Sequence, residues 1–210
     1  LLYAAAAIMC SLSVIPLAIT HIPMPHVSEP SSMKFRTLYK QATSSLIGAF
    51  AAGMVLSASY ALFPIVFWTH YHNTYQVSML MFCLIFGGMV LQYPVGKLSD
   101  IMDRRLVVIF ICVLSILASA FLKYNMLSYH ASLLLIALLG GLVTTIYPIC
   151  ISYACDTLTN KDITSGIQGL LLAYSIGSAV GPFIASMFIH GTHETGLFVY
   201  FIVIFLFSKS

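Results

Sequence analysis

The chain has 210 residues, of which 60% are apolar and 7% are charged, and its formal net charge at pH 7 is +3. Soluble globular domains carry about 25% charged residues, so this composition indicates an integral membrane protein whose main surroundings are the lipid bilayer. No basic stretch interleaved with aromatic residues is present, which argues against nucleic acid as a partner.

Apolar segments of membrane length follow one another along the chain, because a bilayer core about 30 Å thick is crossed by about 20 apolar helical residues. They lie at residues 1–20, 45–68, 77–95, 106–122, 132–155, 165–189 and, in a shorter last run, 197–207. Residues 21–44 contain three prolines and several charges, which predicts a solvated linker whose second half forms a short surface helix. We therefore predict an all-α integral membrane protein with one transmembrane helix at 1–20, a linker at 21–44 and a six-helix bundle at 45–210.

The basic residues predict the orientation of these segments. Eight of the nine Lys and Arg residues fall in the linker, in alternate loops and in the tail, whereas the opposite loops hold only Lys123. By the positive-inside rule, the linker and the loop at residues 96–105 face the cytoplasm. We expect a multi-pass protein of the cell (inner) membrane without a signal peptide, since the first segment lacks a basic start. The chain opens without Met and ends within an apolar run, so we expect a piece of a longer protein.

Small residues recur every four positions within several segments. Segment 165–189 carries Gly169, Ala173, Gly177, Gly181 and Ala185, with Pro182 after Gly181, and segment 45–68 carries Ala49, Gly53, Ser57 and Ala61. Segment 132–155 adds Gly140, Gly141 and Pro148. Such stripes let helix backbones approach in lipid, either as fixed helix contacts or as surfaces that slide, and both interpretations predict a tightly packed bundle.

The densest charge in the apolar part of the chain is the run Gly96-Lys97-Leu98-Ser99-Asp100-Ile101-Met102-Asp103-Arg104-Arg105. Its position between two apolar segments predicts a short charged turn. The order of Gly, x-Leu-Ser-Asp and a basic pair resembles the signature loop of the major facilitator superfamily, G-x-L-a-D-r-x-G-r-r, with Asp103 in place of the second Gly. Residues 177–182 are similar to the Gly-Pro-rich pattern of the fifth and eleventh facilitator helices.

The resemblance implies the facilitator fold, the half of that fold which this chain forms, and a gating loop. An extra helix and a cytoplasmic linker in front of six spans imply the C-terminal six-helix half of a facilitator, preceded by the end of helix six. The partner would be an N-terminal six-helix half, as missing sequence or as a separate chain. The signature loop implies a cytoplasmic latch formed by Gly96, Lys97, Asp100, Asp103, Arg104 and Arg105, in which Gly96 allows close approach of a neighbouring helix. The alternative is a charged turn that only sets topology.

Polar residues within the spans are the candidate lining of a solute pathway. In facilitators the first and fourth helices of each half face that pathway, and here they correspond to residues 45–68 and 132–155. The predicted lining is Ser57, Tyr60, Thr144, Thr145 and Tyr147, joined from the next helix by Gln168 and Tyr174. Their hydroxylated rings suit an amphipathic organic solute, and the alternative for each is a hydrogen bond between helices or a position at the membrane interface.

Ionisable and metal-binding residues are scarce inside the spans. No span interior holds Asp, Glu, Lys or Arg, and Asp156, at a helix end, is expected to pair with Lys161. The five cysteines lack metal-ligand spacing, so packing is the expected role. The motifs His70-x-His72 and His190-x-x-His193 fit a metal or a pH sensor, but placement at the membrane interface is the simpler interpretation. We predict no metal and no cofactor.

These observations favour a secondary transporter of a small organic solute that works by alternating access, with this chain as its C-terminal half. A transport-inactive scaffold or a gene remnant is the alternative. A seven-helix receptor is disfavoured because the last span lacks Asn-Pro-x-x-Tyr and the second span lacks Asp. An enzyme is not expected, since the spans offer no carboxylate pair, metal-ligand cluster or Ser with a nearby His.

Overall fold

A computed structural model describes residues 2–19, 42–124, 129–159 and 162–192. They form α1 (Leu2–Ile19), α2 (Thr43–Tyr71), α3 (Thr74–Ile101), α4 (Arg104–Tyr124), α5 (Tyr129–Thr157) and α6 (Ile163–Thr192). No strand occurs in these ranges. The predicted all-α membrane fold class is therefore confirmed.

Helix α1 belongs to a compact unit of its own, residues 1–30, while residues 31–210 form the second unit. Most of the 18 residues of α1 are apolar, and side chains such as Tyr3, Met9 and Ile19 are largely exposed. The crossing of the membrane by residues 1–20 stays a prediction. Most of the predicted linker, residues 21–41, and the last predicted span, residues 197–207, lie outside the described residues.

Five helices in the described chain are long and apolar enough to cross a membrane. They comprise the whole of α2, α3 and α5, together with Arg104–Leu122 of α4 and Ile163–Met187 of α6. Each of the five whole helices contains one of the predicted spans. Helix α2, with 29 residues, extends about 44 Å at 1.5 Å per residue. This length exceeds the hydrocarbon core of about 30 Å, so the helix ends reach the polar boundary.

The turn between α2 and α3 takes two residues, which makes these helices antiparallel neighbours. His72 adopts a left-handed conformation with φ 50°, and its N–H donates to the carbonyl of Trp68. Asn73 then caps α3, because its side-chain oxygen accepts a hydrogen bond of 3.0 Å from the N–H of Tyr75. The short polar turn closes one end of the bundle.

Two pairs of helices make the most extensive contacts, α2 with α6 and α3 with α5. In the first pair, Gly53 lies against the carbonyl of Tyr174, Gly177 against that of Phe50 and Gly181 against that of Met54. A Cβ at any of these glycines would overlap backbone. The predicted stripes of small residues on residues 45–68 and 165–189 therefore meet each other.

Helices α3 and α5 pack in the same way, with glycines of one helix against backbone carbonyls of the other. Gly87 lies against the carbonyl of Ala137, and Gly140 lies against that of Leu84. Gly141, which the sequence suggested as part of a deformable segment, packs against Leu91 of α3. Close backbone contact maximises dispersion attraction, which drives helix association where lipid removes the hydrophobic effect.

The apolar core lies mainly among α2, α3, α4 and α5. Its largest fully buried side chains are Phe63, Phe67, Leu80, Ile111, Leu122, Ile136 and Leu139. Helices α2 and α5 are central, because 56% of the span is buried in each, against 22–39% in the other three. Exposed side chains are therefore less frequent on α2 and α5 than on the other three helices.

Candidate gating network and solute pathway

The charged run at residues 96–105 is mostly helical, which corrects the predicted turn. Helix α3 continues through Gly96 to Ile101, and only Met102 and Asp103 separate it from α4. The apolar pattern ends before residue 96, but a helix that has left the hydrocarbon can continue in water with charged side chains. The charges therefore sit on two helix ends that face each other across two residues.

Asp103 occupies the N-cap of α4. Its Oδ1 accepts a hydrogen bond of 3.0 Å from the N–H of Arg105, and its carbonyl accepts one of 3.1 Å from the N–H of Val107. A carboxylate at this position satisfies a backbone donor and interacts favourably with the helix dipole. The residue that departs from the facilitator signature thus has a local structural role.

Arg104 joins two carboxylates from different helices. Its Nε lies 2.7 Å from Oδ2 of Asp156 at the end of α5, and its Nη2 lies 3.6 Å from Oδ1 of Asp100 on α3. The Arg104 side chain is 21% exposed, against 55% for Asp156 and 71% for Asp100. Asp156, expected to pair with Lys161, is held by Arg104, and Lys161 lies outside the described residues.

The remaining members of the predicted latch behave differently. The guanidinium carbon of Arg105 lies 5.6 Å from the centre of the Tyr153 ring, a cation–π arrangement. Lys97 is exposed. A Cβ at Gly96 would meet nothing within 4 Å, so the close helix approach predicted for Gly96 is absent from the described part of the chain.

A cavity of about 320 Å³ lies beside this network, where α2 and α4 begin and α5 nears its end. Its lining consists of Thr43, Ser44, Ser45, Ile47, Gly48, Arg104, Arg105, Val108, Ile109, Cys150 and Tyr153. Sequence reasoning missed this cavity and the contact of Tyr153 with Arg105. The sequence singled out Asp156 as a helix-end carboxylate, but its partner Arg104 follows only from the packing of α5 beside the start of α4.

Three predicted pathway residues bond to their own helices. The hydroxyl of Ser57 donates to the carbonyl of Gly53 at 2.8 Å, that of Thr144 to Gly140 at 2.9 Å and that of Thr145 to Leu142 at 2.8 Å. Thr144 also lies against Gly88 of α3, and Thr145 is buried. The described structure therefore places Thr144 and Thr145 in helix packing.

Two of the aromatic candidates, Tyr147 of α5 and Tyr174 of α6, lie against each other. The rings of Tyr147 and Tyr174 have their centres 4.5 Å apart and are tilted by 39°. Tyr60 is 40% exposed although it lies on the central helix α2, and Gln168 is exposed on α6. Gly169 and Pro182 are half-buried on α6, where Pro182 stays within the helix.

The histidines at the opposite end of the bundle form an aromatic cluster. His70 packs edge-on against Tyr71, Tyr71 against Tyr129 and Tyr129 against His130, with ring centres 4.8–5.8 Å apart. No group of three His, Cys, Asp or Glu side chains suited to a metal ion occurs in the described part of the chain. His193 falls outside the described residues, as does the side chain of His190.

Comparison with known proteins gives a consistent result. The family model described as Major Facilitator Superfamily matches residues 45–208. The "Uncharacterized MFS-type transporter YcaD" of Escherichia coli O45:K1 (strain S88 / ExPEC) is 27% identical over 191 residues, which cover 89% of this chain and 48% of that protein. The protein of the same name from Escherichia fergusonii matches with the same identity and coverage. The chain thus spans about half the length of the curated relatives it matches.

Proposed function

This chain belongs to the major facilitator superfamily, and we propose that it forms one six-helix half of a secondary transporter for a small organic solute. The extra helix and linker in front of residue 45 favour the C-terminal half, because a half that begins the protein leaves both unexplained. A preceding six-helix half completes the pathway, and the two halves rock about a site near the membrane midplane. The length of the relatives, about twice that of this chain, supports this proposal.

We place the cytoplasmic latch on Arg104, and the observation that carries it is the double contact of this side chain. Arg104 connects the ends of α3 and α5 with the start of α4, all within this half. The latch therefore opens when α5 shifts relative to the α3–α4 turn as the cytoplasmic side opens, which stretches the contact with Asp156. Asp100 lies farther from Arg104 and is more exposed, so it contributes less. The linker and the latch face the cytoplasm in this proposal, as the distribution of Lys and Arg predicts.

For the pathway we retain the residues that the bundle leaves accessible. Tyr60 and Gln168 are exposed, and the half-buried Tyr147–Tyr174 pair lies between α5 and α6. These groups offer aromatic faces, hydroxyls and an amide without a formal charge. They suit an uncharged or amphipathic organic solute better than a strongly anionic one.

The proposal is tested with the full-length protein in proteoliposomes. Labelled amphipathic solutes are screened for saturable counterflow, first with the wild type and then with Asp156→Asn, Asp100→Asn and Lys97→Gln. An exposed ion pair contributes about 0.2–1 kcal/mol, so Asp156→Asn should shift the balance of conformers by up to about fivefold. Asp100→Asn should shift this balance less. Lys97→Gln should shift it least, because Lys97 forms no ion pair in the described structure.

The shift in conformers is read from alkylation of Cys150, which is 4% exposed and lines the cavity beside Arg104, in a variant without other cysteines. Faster alkylation in Asp156→Asn supports the latch, and the exchange Arg104→Asp with Asp156→Arg should restore the slow rate. Identical rates in all three single variants contradict the latch. Absence of counterflow for every solute contradicts transport of this solute class.

A further inference from the structure

The cavity beside the latch has the chemistry of an anion site. We propose that it binds a phosphate group, carried either by the headgroup of an anionic lipid or by free inorganic phosphate. Every residue that lines it belongs to the compact unit of residues 31–210. The inference does not depend on transport, because it follows from contacts within this chain.

Two helices start at the cavity. Thr43, Ser44 and Ser45 form the first turn of α2, and Arg104 and Arg105 form the start of α4. The first turn of a helix presents backbone N–H groups and a partial positive charge, which favour an anion. The N-cap of α2 is Ala42, which supplies no side-chain hydrogen bond, whereas α4 is capped by Asp103.

A buried hydroxyl at the cavity, that of Ser45 in the first turn of α2, lacks a hydrogen-bond partner among the described residues. Ser45 is 1% exposed and lines the cavity, and its Oγ has no hydrogen-bond partner in the described structure. Ser57 and Ser59 on the same helix donate to carbonyls of the preceding turn instead. A buried polar group without a hydrogen-bond partner destabilises the fold, so a ligand acceptor within reach of the Ser45 hydroxyl removes that penalty.

The charge on the lining is positive. Arg104 and Arg105 line the cavity, and no carboxylate is among the lining residues. Asp156 and Asp100 engage Nε and Nη2 of Arg104, which leaves the Nη1 donors of its planar group for a third acceptor. Arg105 rests on Tyr153 and forms no ion pair with a described side chain, so its fork of donors suits a phosphate.

The size and walls of the cavity limit the ligand. At about 320 Å³ it lies at the lower end of the range of about 300–1,000 Å³ for small-molecule sites. Ile47, Val108 and Ile109 form an apolar side next to the polar one. A phosphate with a short glycerol-like extension fits this division, in which the anion contacts the arginines and the remainder contacts the isoleucines.

The experiment measures thermal stabilisation of the full-length protein in detergent by added phosphatidylglycerol, by phosphatidylcholine as a lipid with no net charge, and by inorganic phosphate. Stabilisation by phosphatidylglycerol alone identifies the lipid headgroup, and stabilisation also by inorganic phosphate identifies a free anion. Loss of one charge-assisted hydrogen bond, worth about 1.5–3 kcal/mol, should weaken the apparent affinity of Arg105→Gln about tenfold or more. Ser45→Ala should weaken it by a smaller factor, about threefold, through one neutral hydrogen bond.

The matched control is Lys97→Gln, which removes one positive charge from the same end of the bundle but does not line the cavity. Arg105→Lys serves as a second variant that keeps the positive charge but loses the planar set of N–H donors. Its apparent affinity should lie between those of Arg105→Gln and the wild type. Equal loss of affinity in Arg105→Gln and Lys97→Gln overturns the proposal, because it means a diffuse charge effect. Equal stabilisation by phosphatidylcholine and phosphatidylglycerol overturns it as well.

Discussion

A pair of glycine substitutions tests whether close backbone contact holds this bundle together. Gly177 and Gly96 both lie within helices, so replacing either by Ala gains about 1 kcal/mol of helix propensity. At Gly177, however, the new Cβ would overlap the carbonyl oxygen of Phe50 and lie 3.1 Å from its carbonyl carbon and 3.3 Å from the nitrogen of Met54. At Gly96 the Cβ meets nothing within 4 Å.

The gain in helix propensity is common to both variants, so the difference between their stabilities isolates the steric cost at Gly177. Overpacking typically costs about 1–3 kcal/mol, and backbone atoms yield less than the end of a flexible side chain. We expect Gly177→Ala to be less stable than Gly96→Ala by about 2 kcal/mol, which for a chain of this size is about 4–8 °C in Tm.

The assay is thermal unfolding of both variants and the wild type in the same detergent. Unfolding is monitored as the loss of monodisperse protein with temperature. The expected Tm of Gly96→Ala is about 2–4 °C above that of the wild type, and that of Gly177→Ala is about 2–4 °C below it. A Gly177→Ala protein as stable as Gly96→Ala would refute the argument, because it would mean that α2 and α6 separate at little cost. The same comparison made with Gly53→Ala, which faces the carbonyl of Tyr174, should give the same sign.

Three further predictions concern single contacts. Gly48→Ala should destabilise the protein because its Cβ would lie 2.6 Å from Sγ of Cys150, and a double-mutant cycle with Cys150→Ala should recover most of that loss. Asp103→Ala should lower the unfolding free energy by about 0.5–2 kcal/mol through loss of the N-cap, while Asp103→Asn keeps most of the stability, as thermal unfolding will show. Tyr60→Cys should react with a charged, membrane-impermeant thiol reagent in the full-length protein and Thr144→Cys should not, since Thr144 packs against Gly88. The reverse order of reactivity would contradict the proposed pathway face.

Helix type, helix positions and the membrane setting could be predicted from the sequence, because they depend on local properties. Each predicted span from residue 45 to 189 lies within one observed helix, since runs of about 20 apolar residues satisfy the backbone in lipid only as helices. The family could also be predicted, because the loop at residues 96–105 carries its signature in consecutive positions. The residues at which the helices end were less predictable, since α3 continues past its apolar residues into the charged run.

Which side chains meet was decided by tertiary structure alone. The stripes at Gly53 and Gly177 were visible, but their mutual contact depends on α2 lying beside α6, and hydropathy carries no information on neighbours. Asp156 and Arg104 are far apart in sequence, and only the packing of α5 beside the start of α4 brings them to 2.7 Å. The cavity around Ser45 arises for the same reason, because it forms where three helix ends from distant parts of the chain converge.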